Sequence, residues 1–168
     1  MEKIVNDFTI NIATANGTGS QSANLILLNA LFRMGTHASG KNLFPSNIAG
    51  LPTWYILRVS DYGYQAPGDN THIQVVMNID TWSEDIEKLA PGTVLIHNTD
   101  VKAPVNRDDL IVYPVPMTSM ARKINPKLSK MVANMIYVGI MAEMLEIPQN
   151  ILEESIAKQF GGKEKAIE

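Results

Sequence analysis

The segment from Phe8 to Gly35 constrains the fold more than any other part of the chain. Residues 8–15 read FTINIATA, an uncharged run of apolar and β-branched residues that predicts a buried strand. Residues 16–20 read NGTGS, which is typical of a tight turn. A helix should follow, capped by Ser20 or Ser22, because apolar residues then recur at intervals of three and four. These apolar residues are Ala23, Ile26, Leu27, Ala30, Leu31 and Met34.

The rest of the chain alternates short apolar runs with helical patterns. Strands are predicted at 53–61, 73–77, 93–97 and 110–115, and helices at 80–89, 117–124, 127–145 and 151–160. The alternation predicts an α/β fold, a three-layer Rossmann-like sandwich with a mainly parallel sheet.

Several local features refine this prediction. The strands at 53–61 and 73–77 could form an antiparallel pair. Residues 36–53 are predicted to be an ordered loop, because they lack a regular pattern yet contain large apolar side chains. Asp80 or Thr81 is expected to cap the short helix, and Asn150 the last one. We expect one domain over residues 1–162, with 163–168 as a charged tail or the start of a linker.

Composition narrows the possible functions. The chain has 168 residues, 45% of them hydrophobic, and a formal net charge of −3, which fits one globular domain and not a basic nucleic-acid binder. It has no cysteine, which excludes a disulfide, a thiolate nucleophile and a cysteine-ligated iron–sulfur cluster within it. The sequence has no apolar run long enough for a membrane span and no signal-peptide pattern. We therefore expect a soluble cytoplasmic protein.

The glycine-containing turn is the first candidate site, and three interpretations of it are open. It lacks the third glycine of a dinucleotide fingerprint, since Ser22 stands at that position, and it lacks the Gly-Lys-Ser/Thr ending of a P-loop. It can be a tight turn that packs a helix on a strand. Alternatively, its backbone N–H groups can contact a phosphate or coenzyme, or the turn can contact another protein.

Polar residues of the following loop form a second candidate site: Lys41, Asn42, Ser46 and Asn47. Their side chains can bind a substrate or hydrogen-bond the loop's own backbone. The three histidines, His37, His72 and His97, do not have the spacing of metal ligands. We find no pair suited to general acid–base chemistry and predict no catalytic residue.

The helix predicted at 127–145 is apolar around most of its circumference and rich in methionine. Such a helix should be buried on more than one side. Its methionines can fill the core of this domain or an interface with another protein.

Four stretches, in this order, resemble the gamma domain of 2-oxoacid:ferredoxin (or flavodoxin) oxidoreductases, in the form fused ahead of the alpha domain. They span nearly the whole chain: Asn16–Ser22, Gly40–Ser60, Tyr113–Pro116, and Asn134–Gly139 followed by Ile147–Phe160. The chain departs from the family pattern at Ser20 and Ser22, where glycine is usual. It departs again at Ala49-Gly50-Leu51, where Arg-Gly-Gly is usual.

The resemblance implies a role inside a larger enzyme. That enzyme oxidatively decarboxylates a 2-oxoacid with coenzyme A as co-substrate, giving an acyl-CoA, carbon dioxide and reduced ferredoxin or flavodoxin. Thiamine diphosphate and magnesium lie between alpha-type and beta-type domains, and iron–sulfur clusters lie elsewhere in the complex. The gamma domain packs on these partners, in some members helps to enclose the coenzyme A side, and holds no cofactor alone.

The residues that we expect to contact the coenzyme are Gly17, Gly19, Ser20, Gln21, Lys41 and Asn47. We expect the chain by itself to be inactive. Two other hypotheses are a free-standing nucleotide- or coenzyme-binding α/β module, and a purely structural interaction domain. The sequence does not distinguish which 2-oxoacid or which electron carrier the enzyme uses.

Overall fold

In a computed structural model of the chain, residues 6–45, 48–66, 68 and 70–161 are described. The predicted boundary between residues 162 and 163 lies outside this part. The strands are β1 (Asp7–Ala15), β2 (Ala38–Leu43), β3 (Pro52–Ser60), β4 (Ile73–Val76), β5 (Val94–Asn98) and β6 (Ile111–Val115). The α-helices are α1 (Ser20–Arg33), α2 (Trp82–Glu87), α3 (Met117–Ile124), α4 (Ser129–Met144) and α5 (Gln149–Phe160), and a 3-10 turn spans Thr99–Val101.

The strands form one sheet in the order β2-β3-β1-β4-β5-β6. Neighbours are parallel from β1 through β4 and β5 to β6, whereas β3 is antiparallel to both β1 and β2. With helices on both faces, this confirms the predicted Rossmann-like α/β sandwich.

The predicted pairing of the strands at 53–61 and 73–77 was wrong. These strands are β3 and β4, which are not neighbours in the sheet. Strand β1, whose only charged residue is Asp7, lies between them. It pairs with β3 along its full length, from Asp7 opposite Ser60 to Ala15 opposite Pro52, and with β4 on its other edge. Burial on both edges and both faces is the position that a strand with so little charge favours.

Strand β2 falls within the segment predicted to be a loop. Its sequence, ASGKNL, has no alternation of apolar and polar residues, and all six residues are half-buried or exposed. The strand exists because it pairs with β3 at the sheet edge. Pairing of this kind depends on tertiary contacts that local sequence does not encode.

Two of the predicted helix caps were also wrong. Helix α1 begins after Gly19, in a left-handed conformation, with no side-chain cap from Ser20 or Ser22. Helix α5 begins after Pro148, so Asn150 lies inside it. Thr81 does precede α2, but its hydroxyl donates to the side chain of Asp85 rather than capping a backbone N–H.

The core has two parts, one on each face of the sheet. The larger part lies under α1, α3, α4 and α5, and the smaller lies under α2. Helix α4 packs against both α1 and α3, so the domain itself covers more than one side of it, as its sequence predicted. Six of its residues are buried: Ala133, Asn134, Tyr137, Val138, Met141 and Ala142.

His97 makes the stability of the fold depend on pH. It lies in β5 against Trp82, with ring centroids 5.3 Å apart, and only 6% of the residue is exposed. Burial lowers the pKa of His97 below its ordinary value of 6.5. The Nδ1 atom finds no hydrogen-bond partner among the described residues. The folded state therefore binds this proton more weakly than the unfolded chain does.

We expect the contribution of His97 to the free energy of unfolding to be highest above pH 6.5 and to fall as the pH drops through its lowered pKa. Urea denaturation at a series of pH values between neutral and mildly acidic measures this slope. The variant His97→Gln should show a shallower slope, although His72, whose pKa burial also lowers, should retain part of it. Equal slopes in the variant and the parent would contradict the assignment to His97.

Candidate functional site

The glycine-containing turn lies at the carboxyl end of β1, in the middle of the sheet. Gly17 and Gly19 have φ angles of 78° and 85°, a left-handed region that costs other residues energy. A side chain at Gly17 would also bring its Cβ to 3.2 Å from the Cβ of Ala49. Both glycines are therefore required by the path of the backbone itself.

The loop before β3 holds one side of this turn. The backbone N–H of Asn16 donates to the carbonyl of Leu51, and the N–H of Gly50 donates back to the carbonyl of Asn16, both at 2.8 Å. Within the turn, the Thr18 hydroxyl donates to the carbonyl of Ala15 at 2.8 Å. The turn and residues 48–51 thus form one hydrogen-bonded unit.

Helix α4 holds the other side of the turn. The Asn134 Nδ2 donates to the carbonyl of Thr18 at 2.9 Å, and the Tyr137 hydroxyl donates to Oδ1 of Asn24 at 2.9 Å. Both α4 residues are buried, and burial raises the pKa of Tyr137. These contacts favour the first interpretation of the turn, in which its glycines pack helix against strand.

Removing the Asn134 amide should weaken this arrangement measurably. The variant Asn134→Ala leaves the Thr18 carbonyl without its side-chain donor, and we expect a loss of about 1–2 kcal/mol in the free energy of unfolding. Urea denaturation compares it with Lys130→Ala, a change in the same helix at an exposed residue. A loss no larger than that of the control would contradict a clamping role for Asn134.

A small cavity of about 130 Å³ opens beside the turn, between the start of α1, the end of β2 and the start of β3. Its lining residues are Thr14, Asn16, Ser20, Gln21, Asn24, Asn42, Phe44, Thr53 and Trp54. These side chains are hydroxyl, amide or aromatic groups, and none of them carries a charge. Such a set can bind and orient a ligand by hydrogen bonds.

The predicted site residues are not all brought together. Ser20 and Gln21 line the cavity, whereas Gly17 and Gly19 shape the turn beside it. Lys41 is exposed and lies opposite Ile56, so its side chain is on the other face of the sheet from Asn42. Asn47 lies outside the described residues.

Sequence reasoning missed Thr14, Asn24, Thr53 and Trp54 as members of the cavity. A signal was available for Asn24, because it lies four residues after Ser20 and so shares a helix face with it. Thr14 and Thr53 are opposite one another in the β1–β3 register, which the sequence does not reveal.

Trp54 follows Thr53 in β3, so its ring lies on the opposite face of the sheet from Thr53 and Thr14, next to α2. The indole Nε1 of Trp54 donates to Oδ1 of Asp85 at 2.8 Å, and the Thr81 hydroxyl donates to Oδ2 at 2.6 Å. Burial raises the pKa of Asp85, and the two hydrogen bonds oppose that rise. Asp85 is therefore a buried carboxylate that fixes the orientation of the Trp54 ring.

The part of the chain that the structure describes contains no group of three His, Asp or Glu residues placed to hold a metal ion. In the same residues, no helix is both long and apolar enough to span a membrane.

The structure defines a Rossmann-like α/β domain with a small uncharged cavity beside its first turn. The family model described as "Pyruvate ferredoxin/flavodoxin oxidoreductase" matches residues 9–168. The chain therefore belongs to this family, whose members are components of 2-oxoacid:ferredoxin oxidoreductases.

Individual relatives refine this assignment. The chain is 23% identical, over 205 aligned residues, to "2-oxoacid:ferredoxin oxidoreductase 2, subunit alpha" of Aeropyrum pernix. The match covers 96% of this chain and 32% of that protein. Among solved structures, 2-oxoglutarate:ferredoxin oxidoreductase from Magnetococcus marinus, with 2-oxoglutarate, coenzyme A and succinyl-CoA bound, has a TM-score of 0.85 and 25% identity. The match covers 98% of this chain and 29% of that one.

Separate gamma subunits share the fold over nearly their whole length. The keto/oxoacid ferredoxin oxidoreductase gamma subunit from Geobacter sulfurreducens has a TM-score of 0.72 and 16% identity, covering 90% of this chain and 85% of that one. Subunit PORC of pyruvate oxidoreductase from Thermotoga maritima has a TM-score of 0.69 and 20% identity, covering 97% of this chain and 92% of that one. The chain thus spans about a third of its longer relatives and shares its fold with separate gamma subunits. Its family membership confirms the resemblance to 2-oxoacid:ferredoxin oxidoreductases seen in the sequence.

Proposed function

We propose that this chain is the non-catalytic gamma component of a thiamine diphosphate-dependent 2-oxoacid:acceptor oxidoreductase. The observation that carries the proposal is the pattern of matches. The same domain accounts for most of two separate gamma subunits and for about a third of two longer chains of such enzymes. A domain that occurs in both arrangements is an assembly unit.

The absence of cysteine and the uncharged cavity support a non-catalytic role. Iron–sulfur clusters are held by cysteine thiolates, so a chain without cysteine needs other domains for electron transfer. We propose that alpha-type and beta-type partners hold thiamine diphosphate, magnesium and the clusters, and that reduced ferredoxin or flavodoxin leaves from that complex.

We further propose that the edge carrying the turn faces the coenzyme A side of the complex. The Magnetococcus marinus enzyme, which has coenzyme A bound, is similar to this chain over 98% of its length. Ser20 and Gln21 would contact the coenzyme from the cavity, while Gly17 and Gly19 set the turn. Lys41 and Asn47 remain part of the proposal, although Lys41 would have to act from the other face of the sheet.

Affinity purification tests the assembly role. The gene is tagged in its native cells, and we expect thiamine-binding partner domains, on the same or separate polypeptides, to copurify. The preparation should reduce a viologen dye only when a 2-oxoacid and coenzyme A are both present. A tagged protein that purifies without such domains, or that turns over a substrate unaided, would overturn the proposal.

A kinetic comparison tests the coenzyme contact separately. In the assembled enzyme, Gln21→Ala should raise the KM for coenzyme A with little effect on copurification. The control is Gln149→Ala, at an exposed residue at the start of α5. An unchanged KM for coenzyme A in the Gln21 variant would refute the proposed coenzyme contact without affecting the proposed assembly role.

One observation favours the alternative of a purely structural interaction domain. Phe44, Ile48 and Leu51 lie exposed beside the cavity, with 53%, 65% and 40% of each residue accessible. Under this alternative, Phe44→Ser abolishes copurification while Gln21→Ala has no kinetic effect. A free-standing coenzyme-binding module would instead bind coenzyme A by calorimetry without any partner.

A further inference from the structure

We propose that the cavity beside the turn binds an uncharged planar group that both donates and accepts hydrogen bonds, of the nucleobase class. It would not bind a phosphate, which is the ligand that a glycine-containing turn suggests. The inference rests on the proposed coenzyme contact, because a coenzyme is the natural source of such a base. It specifies which part of that coenzyme the chain holds.

The first argument is a buried hydroxyl that lacks a partner. Thr14 lines the cavity and is only 1% exposed, and its Oγ1 finds no hydrogen-bond partner among the described residues. An unsatisfied buried hydroxyl costs about 1–3 kcal/mol. A bound group that supplies a hydrogen bond to Thr14 removes this cost.

The second argument is the charge of the lining. Sites that bind phosphate usually combine backbone N–H groups with arginine or lysine. The described residues that line this cavity include no cationic side chain, and Lys41, next to Asn42 in sequence, points to the other face of the sheet. Neutral hydroxyl and amide groups suit a neutral ligand better than a phosphate.

The third argument is the pairing of amides with an aromatic ring. Gln21, Asn24 and Asn42 present carboxamides, and the hydrogen bond from Tyr137 to Oδ1 fixes the amide of Asn24. Carboxamides form paired hydrogen bonds with the edge of a base such as adenine. Phe44, two residues after Asn42, provides flat apolar surface for the face of a ring.

The fourth argument is size. The cavity of about 130 Å³ is roughly ten times the 10–15 Å³ that one water needs, and well below the 300 Å³ of a site for a whole drug-sized ligand. It therefore has room for one ring system, with the rest of the coenzyme outside it.

The test measures binding to the full chain by NMR chemical shifts, with adenosine and inorganic pyrophosphate as the probes. Thr14→Val removes the hydroxyl with little change of shape, so the variant should fold normally. Thr9→Val is the matched control, because Thr9 lies in the same strand with an equally buried and unpartnered hydroxyl, but on the opposite face of the sheet. We expect adenosine to bind about threefold to tenfold more weakly to the Thr14 variant and equally well to the control.

Three outcomes would overturn the inference. They are displacement of adenosine by equimolar pyrophosphate, an equal effect of both threonine variants, and no shift of cavity resonances at about 10 mM adenosine, which would mean that only water fills the cavity. If adenosine does not bind but partner domains still copurify, the nucleobase site is refuted and the proposed gamma role is unaffected. If no partner domain copurifies but adenosine binds and the Thr14 variant weakens that binding, the nucleobase site is supported and the assembly role is refuted.

Discussion

The variant Gly40→Ala is expected to lose about 3 kcal/mol of unfolding free energy, because the ring of Tyr55 occupies the space of the missing side chain. A Cβ at Gly40 would lie 1.8 Å from the Tyr55 hydroxyl oxygen, 2.5 Å from its Cζ and 3.2 Å from Cδ2 of Leu28. Tyr55 is 3% exposed, and burial raises its pKa to about 12. The ring therefore has no solvent-filled space into which to move.

Urea denaturation compares this variant with a glycine that has open space around it. Gly139 lies in the middle of α4 and is exposed, and a Cβ added there would meet no neighbouring side chain within 4 Å. Gly139→Ala should therefore stabilise the chain by about 0.5–1 kcal/mol through helix propensity. If Gly40→Ala unfolds at the same urea concentration as the parent, the close packing of Tyr55 on β2 is refuted.

A double-mutant cycle assigns the effect to this pair of residues. Tyr55→Leu shortens the side chain and leaves a cavity, so this single variant is also less stable than the parent. In the double variant the alanine Cβ no longer meets the ring, and the combined loss should be smaller than the sum of the two single losses. Additive losses would show that Gly40 matters for another reason.

The sequence predicted those elements whose burial produces a local pattern. Strand β1, with Asp7 as its only charged residue, and helix α1 were predicted nearly residue for residue, because both are buried and both show a local apolar pattern. The parallel strands β4 and β5 appeared as short apolar runs for the same reason. Helix α4 was recognised from its apolar circumference.

The rest depends on contacts between distant residues. Strand β2 has no pattern of its own, and it exists only because β3 offers it hydrogen bonds. The face on which Lys41 lies follows from that register, so the sequence could not separate it from Ser20 and Gln21. The cavity combines Thr14 of β1 with Thr53 of β3, and Asp85 reaches Trp54 across 31 residues. Only the folded chain reveals these groupings.

Substitution of Asp85 is the second change expected to lower the free energy of unfolding strongly, and the size of the loss depends on the replacement residue. Asp85→Ala leaves the Trp54 indole and the Thr81 hydroxyl without their shared acceptor in a buried position, and we expect a loss of about 3 kcal/mol. Asp85→Asn should lose less than about 1 kcal/mol, because its Oδ1 accepts from Trp54 and its Nδ2 donates to the Thr81 oxygen. Equal losses in the two variants would show that the hydrogen bonds do not hold Trp54.

The dependence on pH separates the charge of Asp85 from its hydrogen bonds. Because burial raises the pKa of Asp85 above 3.8, the folded state holds this proton more tightly than the unfolded chain does. Its contribution to stability is therefore greatest below pH 3.8 and decreases as the pH rises through the raised pKa. Asparagine has no such titration, so the stability of the parent relative to Asp85→Asn should decline from acid towards neutral pH. A constant difference across that range would mean that the Asp85 carboxyl titrates alike in the folded and unfolded states.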